Sequence, residues 1–143
     1  MERILVSACL LGHEVRYDGG HCAQGGLLAR WQAEGRLVPL CPEVAGGLGV
    51  PRPPAEIEGG DARAVLAGRA RVRRIDGVDV TAAYLRGADA AAALCRREGI
   101  GVAILKEGSP ACGVRRVRDG SFQGRRVAGR GVVAERLARD GIR

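Results

Sequence analysis

Residues 3–12 read RILVSACLLG, a short apolar stretch that has no helical periodicity and that Gly12 interrupts. Such a stretch is typical of a buried β-strand, which we predict over Arg3–Leu11. The strand carries Ser7 and Cys9 toward its carboxyl end. Ligands of open α/β sheets bind outside the carboxyl ends of the strands, so this end is the first candidate for a functional site.

Two later stretches repeat this arrangement. Leu37–Cys41 is a second apolar stretch, closed by Pro42, and Gly101–Lys106 is a third, followed by a loop that contains Cys112. Each predicted strand therefore delivers a cysteine to its carboxyl end. If the strands lie parallel in one sheet, the cysteines share one edge of that sheet.

Predicted helices alternate with the strands. Apolar spacing and glycine stop signals predict helices over Gln24–Glu34, Thr81–Arg97 and Val132–Arg139. Ala64–Leu66 and Ala70–Ile75 flank a Gly-Arg turn and predict a small β-hairpin. The alternation predicts an α/β fold with a mostly parallel, Rossmann-like sheet flanked by helices.

Length and composition limit the class of protein. A chain of 143 residues has the size of one domain, which we predict over residues 1–143. The longest apolar stretches are far shorter than a membrane-spanning helix, and the N-terminus lacks the pattern of a secretion signal. We therefore expect a cytoplasmic protein with no membrane partner, while the sequence predicts no particular oligomeric state.

The formal net charge of +7 raises the question of a nucleic-acid partner. Clustered cations bind phosphates, but Lys106 is the only lysine, and the chain is rich in Ala, Gly and Arg throughout. The aromatic residues are scattered and form no stacking platform for bases. We therefore favour a solvated basic surface, and a nucleic-acid partner stays an alternative that is not favoured.

The cysteines indicate a metal site. In a reducing compartment, metal ligation or catalysis is more common than a disulfide framework. Cys9, Cys41 and Cys112 stand among glycine and proline residues that let the backbone approach a bulky ligand. Three thiolates without nearby histidines suit a soft metal or an iron–sulfur cluster, whereas structural zinc prefers four ligands in closely spaced pairs.

The cysteines also have other interpretations. Any buried cysteine can act as a small hydrophobic residue, and Cys95, in an Ala-rich helix, is predicted to do so. Cys22, beside His21, lies either in the same pocket, as a lining residue or fourth ligand, or at the surface near a helix start. The sequence leaves these two alternatives open.

Six segments carry a specific pattern: LVSACLLG at 5–12, VRYDGG at 15–20, CPEVAGGLGVPRPPAEI at 41–57, GVDVTAAYLRGA at 77–88, AILKEGSPACG at 103–113 and DGSFQG at 119–124. In these segments the chain resembles the 2-thiouracil desulfurase family of small bacterial proteins, most of which are catalogued as a domain of unknown function. The similarity spans nearly the whole chain. SACLLG and the CPEV segment together are not generic motifs.

The resemblance implies a [4Fe–4S] cluster bound by Cys9, Cys41 and Cys112, with a fourth iron open to substrate. An open iron is a Lewis acid that binds a thiocarbonyl sulfur and polarises the carbon–sulfur bond while water attacks the carbon. The implied reaction is the non-redox desulfuration of 2-thiouracil, a similar thiolated pyrimidine or a related thiocarbonyl compound. The implied partner is therefore a small thiolated base.

Attack by water requires a base. Glu43 follows Cys41 by two residues and is our candidate for it. Ser109 precedes Cys112 by three residues and is our candidate donor of a proton or hydrogen bond to the substrate. Each also has a structural interpretation as a residue that stabilises a local turn.

Three residues are candidates for substrate binding. Asp18 either orients the ring N–H groups of a pyrimidine or stabilises its own turn. Lys106 either pairs with the candidate base and meets an anionic intermediate or forms a surface salt bridge. Ser7 is a further candidate at the end of the first strand. Arg52 and Glu56 are predicted to form a structural ion pair behind the loop.

Two other functions stay open. A non-catalytic metal or sulfur carrier would use the same three cysteines and bind the cluster without turnover. A basic RNA-associated module would bind RNA with a steep dependence on salt. A nucleotide cofactor has little support, because the sequence contains neither G-x-x-x-x-G-K-[ST] nor a G-x-G-x-x-G that opens a helix.

Overall fold

The computed structural model describes residues 2–20, 23 and 26–143. Its helices and strands follow one another as β1 (Ile4–Ser7), α1 (Leu27–Ala33), β2 (Leu37–Leu40), α2 (Pro42–Ala45), β3 (Ala55–Glu58), α3 (Ala62–Leu66), β4 (Arg71–Arg74), α4 (Thr81–Glu98), β5 (Val102–Ile104), β6 (Arg116–Arg118), β7 (Arg126–Ala128) and α5 (Val132–Arg139).

A parallel sheet of three strands, in the order β2-β1-β5, forms the centre of the molecule. Successive side chains of β1 point to opposite faces of this sheet. Leu5 belongs to the large core formed with α4 and α5, whereas Val6 belongs to a second cluster that includes Leu28 of α1. Helices therefore cover both faces, and the predicted α/β class is confirmed.

All three strands of the parallel sheet are shorter than predicted, and β5 spans Val102–Ile104 instead of Gly101–Lys106. β1 ends at Ser7, and Ala8–Leu11 form a single 3₁₀ turn that Gly12 ends with a φ of 91°. Cys9 therefore lies on this turn, and Cys41 lies one residue beyond the end of β2. The apolar stretch continues past the strand because the turn is itself largely buried, so hydrophobicity alone does not mark where the strand stops.

The predicted hairpin over 64–75 is wrong. Its first half belongs to α3, where the Asp61 carboxylate accepts the N–H of Ala64 at 3.0 Å and caps the helix. Its second half, β4, pairs antiparallel with β3. A second antiparallel pair joins β6 to β7.

The predicted helix boundaries hold well. α4 begins at Thr81, whose N–H is accepted by the Asp79 carboxylate at 2.8 Å, and it ends at Glu98, where Gly99 caps it with a φ of 65°. α5 has the predicted bounds. α1 begins at Leu27, and its predicted start at Gln24 lies outside the described residues. Within residues 2–20, 23 and 26–143, no helix is long and apolar enough to cross a membrane.

Helices α2 and α4 pack backbone against backbone. A Cβ atom on Gly46 would lie 2.0 Å from the carbonyl oxygen of Ala83, and one on Gly87 would lie 2.3 Å from that of Pro42. Only glycine fits at these two positions, because any side chain would overlap with the opposite helix. The two glycines therefore fix α2, and the loops that flank it, against the longest helix.

Candidate active site

A cavity of about 320 Å³ lies at the carboxyl ends of the three parallel strands. It is lined by residues that follow each of these strands and by residues of β3, α4 and the loop before β7. The predicted site residues that line it are Ser7, Cys9, Cys41, Glu43, Lys106, Ser109 and Cys112.

The three cysteines differ in exposure. Cys9 and Cys112 are buried, and Cys41 is half-buried with its thiol 3.7 Å from the carbonyl oxygen of Val15. Burial raises the pKa of Cys112 to about 12, and a hydrogen bond with Ser7 lowers it only in part. The nearby carboxylate and the other two thiols add repulsion. A Cys112 thiolate therefore needs a cationic ligand beside it.

The arrangement of the thiols fits one kind of metal group. Among the described side chains, no three His, Cys, Asp or Glu groups lie close enough together to hold a single metal ion. Three thiols spread around one cavity instead suit a larger, soft group in which each thiolate binds a different iron. The donor set therefore fits an iron–sulfur cluster better than a single zinc ion.

Glu43, on α2, is held at both carboxylate oxygens. Oε2 accepts two donors from Arg52, Nε at 3.1 Å and Nη2, and Oε1 accepts the hydroxyl of Tyr84. Arg52 also donates to the carbonyl oxygens of Gly49 and Val15, each at 3.0 Å. The Arg52 and Glu43 side chains are 7% and 14% exposed, so this ion pair is largely shielded from water.

The predicted pair of Arg52 with Glu56 is therefore wrong. α2 brings Glu43 within reach of the guanidinium, and the buried Glu56 carboxylate has other partners. Its Oε1 accepts the N–H of Gly120 at 2.9 Å and that of Phe122 at 3.3 Å. Glu56 thus attaches the loop before β7 to β3.

Tyr84 is a site residue that the sequence analysis missed. Its side chain is 3% exposed, and burial, followed by the charge of Glu43, raises its pKa well above the ordinary value. The neutral hydroxyl donates its hydrogen to Glu43. The signal that could have found it is the spacing of Tyr84 and Gly87, three residues apart, on the helix face that packs against α2.

Ser7 links two of the strand ends. Its Oγ accepts the backbone N–H of Lys106 at 2.9 Å and also hydrogen-bonds the Cys112 thiol. The ammonium group of Lys106 donates to the carbonyl oxygen of Glu107 at 3.0 Å. The predicted ion pair between Lys106 and Glu43 is thus absent among the described contacts, because Arg52 already holds that carboxylate.

Ser109 organises the loop that carries the third cysteine. Its Oγ accepts the N–H of Ala111 at 3.0 Å and that of Cys112 at 3.1 Å. A hydroxyl has two acceptor positions and one donor hydrogen. Both acceptor positions are used by the loop, so the O–H remains available to donate to a group in the cavity.

Glu107, at the start of the same loop, holds the loop through backbone hydrogen bonds. The sequence analysis did not predict this role. Burial alone would raise the pKa of Glu107, but several backbone donors outweigh it and hold the pKa below its ordinary value. These N–H groups, at 2.9 to 3.2 Å, belong to Gly108, Val114, Arg115 and Arg116. The donors lie on both sides of Cys112, so one carboxylate holds the loop closed.

The remaining candidates lie elsewhere. The Asp18 carboxylate accepts the N–H of Gly20 at 2.8 Å and is not among the described residues that line the cavity, which favours its structural interpretation. Cys95 lies in the core, as predicted. The predictions for His21 and Cys22 fall outside the described residues.

Known proteins that are similar to this chain point to one family. The sequence model of the family described as 2-thiouracil desulfurase matches residues 4–143. The uncharacterized protein YbbK of Bacillus subtilis (strain 168) is 41% identical over 140 residues, which are 98% of this chain and 92% of that protein. The solved structure of a [4Fe-4S]-dependent thiouracil desulfidase, TudS, is 48% identical, with a TM-score of 0.90 over 99% of this chain and 88% of that one.

Proposed function

The chain belongs to the 2-thiouracil desulfurase family, and on this premise we propose that it is a [4Fe–4S]-dependent desulfidase of a thiolated pyrimidine. The reaction is hydrolytic: 2-thiouracil and water give uracil, hydrosulfide and a proton, and no electron is gained or lost overall. The solved relative named as a thiouracil desulfidase and the chemistry of the cavity support this assignment.

Cys9, Cys41 and Cys112 would hold the cluster. They follow three strands that end at one cavity, and all three line it. Among the described residues, no other cysteine lines this cavity. When bound, the cluster would supply Lewis-acid chemistry suited to a thiocarbonyl sulfur.

Glu43 takes the proton of the attacking water. Its Oε2 accepts two donors from Arg52, whereas Oε1 accepts only the Tyr84 hydroxyl among the described contacts. A carboxylate oxygen has two acceptor positions, so Oε1 keeps one for the water proton. The Arg52 ion pair fixes the position of this carboxylate at the cavity wall.

Ser109 and Lys106 act on the substrate side of the reaction. The Ser109 O–H donates to a polar atom of the substrate, since both acceptor positions of its Oγ are occupied by the loop. Lys106 provides a positive charge at the cavity wall for the anionic intermediate and the hydrosulfide product. Ser7 orients the Cys112 thiol and needs no contact with substrate for this role.

The observation that carries the proposal is one cavity that combines three thiols with a half-buried carboxylate fixed at both oxygens. The test is turnover of 2-thiouracil in H₂¹⁸O by protein purified without oxygen, with iron and acid-labile sulfide measured on the same sample. Hydrolysis predicts one sulfide released per uracil and ¹⁸O in the uracil. A fully loaded protein that releases no sulfide would instead be the non-catalytic carrier.

An RNA partner has no specific observation in its favour, and the cytoplasmic location and single-domain organisation stay predictions.

A further inference from the structure

Phe122, in the DGSFQG loop, has an unusual backbone. Its φ is 61°, and it is the one non-glycine residue with a positive φ in the described part of the chain. Bulky side chains avoid this region because Cβ crowds the backbone. Such strain persists only where the surrounding structure imposes it, and it is often found at ligand sites.

The loop is fixed to β3 by contacts at Gly120 and at the strained residue itself. One oxygen of the buried Glu56 carboxylate accepts the N–H of Gly120 and that of Phe122. A Cβ on Gly120 would lie 2.6 Å from the carbonyl oxygen of Ile57, so the loop backbone touches the strand directly. These contacts hold the loop backbone against β3 up to and including Phe122.

An arginine packs against one face of the Phe122 ring. The guanidinium of Arg73 lies over the Phe122 ring, 5.1 Å from its centroid, and is anchored there by an ion pair with Glu58. A cation over an aromatic face stabilises this arrangement. The same phenylalanine lines the cavity that contains the three thiols.

A rigid aromatic ring at a cavity wall is chemically suited to one kind of ligand. Planar heterocycles stack on aromatic side chains, whereas an acyclic thiocarbonyl compound has no ring to stack. We propose that Phe122 is the platform on which the planar ring of the substrate stacks, and that it selects ring thiocarbonyl compounds over acyclic ones. This inference rests on the proposed function and specifies its substrate class.

The test compares Phe122→Leu with Phe122→Tyr and Phe122→Trp. Phe122→Leu removes the stacking face, so we expect its affinity for uracil, measured by calorimetry, to fall about tenfold or more. The KM for thiouracil should rise by a similar factor. The aromatic variants are expected to stay within about threefold of the wild type, because each keeps an aromatic face on which the substrate ring can stack. The kcat/KM for N-methylthiourea is expected to be equal in all four proteins.

Two control variants separate stacking from folding. Trp31→Leu removes a half-buried aromatic ring that also lies under an arginine, Arg36 at 5.3 Å, but outside the described lining of the cavity. It should leave uracil binding unchanged. Phe122→Gly removes the ring at a position where glycine adopts the positive φ without strain, so backbone strain does not lower its thermal stability. We expect it to lose uracil affinity as Phe122→Leu does.

The outcomes are distinct. Equal uracil affinity of wild type, Phe122→Leu and Phe122→Gly, at equal iron content, would overturn the inference. If Phe122→Leu does not fold, the uracil affinities of Phe122→Gly and Phe122→Tyr are compared instead, and equal values would overturn the inference. If the loaded wild type releases no sulfide from either thiocarbonyl compound yet binds uracil in a Phe122-dependent manner, the proposed function fails while the ring platform stands.

Discussion

The hydroxyl of Tyr84, on the longest helix, donates to Oε1 of Glu43, the carboxylate that follows Cys41 by two residues. Close packing of α2 on α4 through glycine makes this contact, since a Cβ on Gly87 would lie 2.3 Å from α2. The orientation of the proposed base is therefore set by a helix that supplies none of the proposed cluster ligands.

Replacing Tyr84 by Phe removes this donor and little else. We expect kcat with thiouracil as substrate to fall about tenfold, the effect of about 1.4 kcal/mol, because Oε1 loses the bond that orients it. The KM and the iron content should not change. Tyr17→Phe is the matched control, because Tyr17 also lines the cavity but is 42% exposed. An unchanged kcat in Tyr84→Phe would remove its role in positioning the base.

Serine substitution tests the three proposed cluster ligands one by one. Cys9→Ser, Cys41→Ser and Cys112→Ser should each lose most of the iron and acid-labile sulfide, because a three-thiolate set has no spare ligand. Cys95→Ser is the control: it alters a buried cysteine of the core and should lower the melting temperature without lowering the iron content. Full cluster content in any of the first three variants would exclude that residue as a ligand.

The sequence predicted the parts of the site that depend on local pattern. Three apolar stretches, each followed by a cysteine, predict three parallel strands with the cysteines at one edge of the sheet. In the structure these strands are neighbours, and the three thiols line one cavity. The strand ends were less predictable, since Ala8–Leu11 is as apolar as β1 and yet forms a 3₁₀ turn. The hairpin prediction failed because the Asp61 cap favours a helix where the Gly-Arg turn suggested a strand.

The partners of the proposed base could not be predicted in this way. Glu43 meets Arg52 and Tyr84 across 9 and 41 residues of sequence, and only the packing of α2 makes both contacts possible. The shared PRPPAEI segment suggests a pair of Arg52 with Glu56, but closeness along a proline-rich loop does not predict which carboxylate faces a guanidinium.

Gly87→Ala tests whether the packing of α2 on α4 is required. The added Cβ overlaps with a backbone carbonyl, which cannot move as a flexible side chain can, so we expect a loss of about 3 kcal/mol in the free energy of unfolding. Iron content should fall as well, because α2 follows Cys41 directly. Gly101→Ala is the control, since a Cβ there meets nothing within 4 Å. Denaturant unfolding of both variants gives the comparison.

Glu107 provides a prediction on pH. Burial would raise its pKa, but the N–H groups of Arg116, Arg115, Val114 and Gly108 together lower it below the ordinary 4.5. A carboxyl group with a lowered pKa in the folded state stabilises the protein above the unfolded pKa, and this stabilisation is lost as the pH falls through the folded pKa. The melting temperature of the wild type should therefore decline below about pH 4.5.

Glu107→Gln separates this group from the other carboxylates of the chain. A neutral amide is a weaker acceptor for the four N–H groups, so we expect a loss of about 2 kcal/mol at pH 7 and a smaller decline on acidification. Glu14→Gln, at an exposed position, should leave both quantities unchanged. The same loop carries Cys112, so the Glu107 variant should also release iron faster to a chelator at pH 7. A variant with unchanged stability and unchanged iron release would show that the loop holds its shape without this carboxylate.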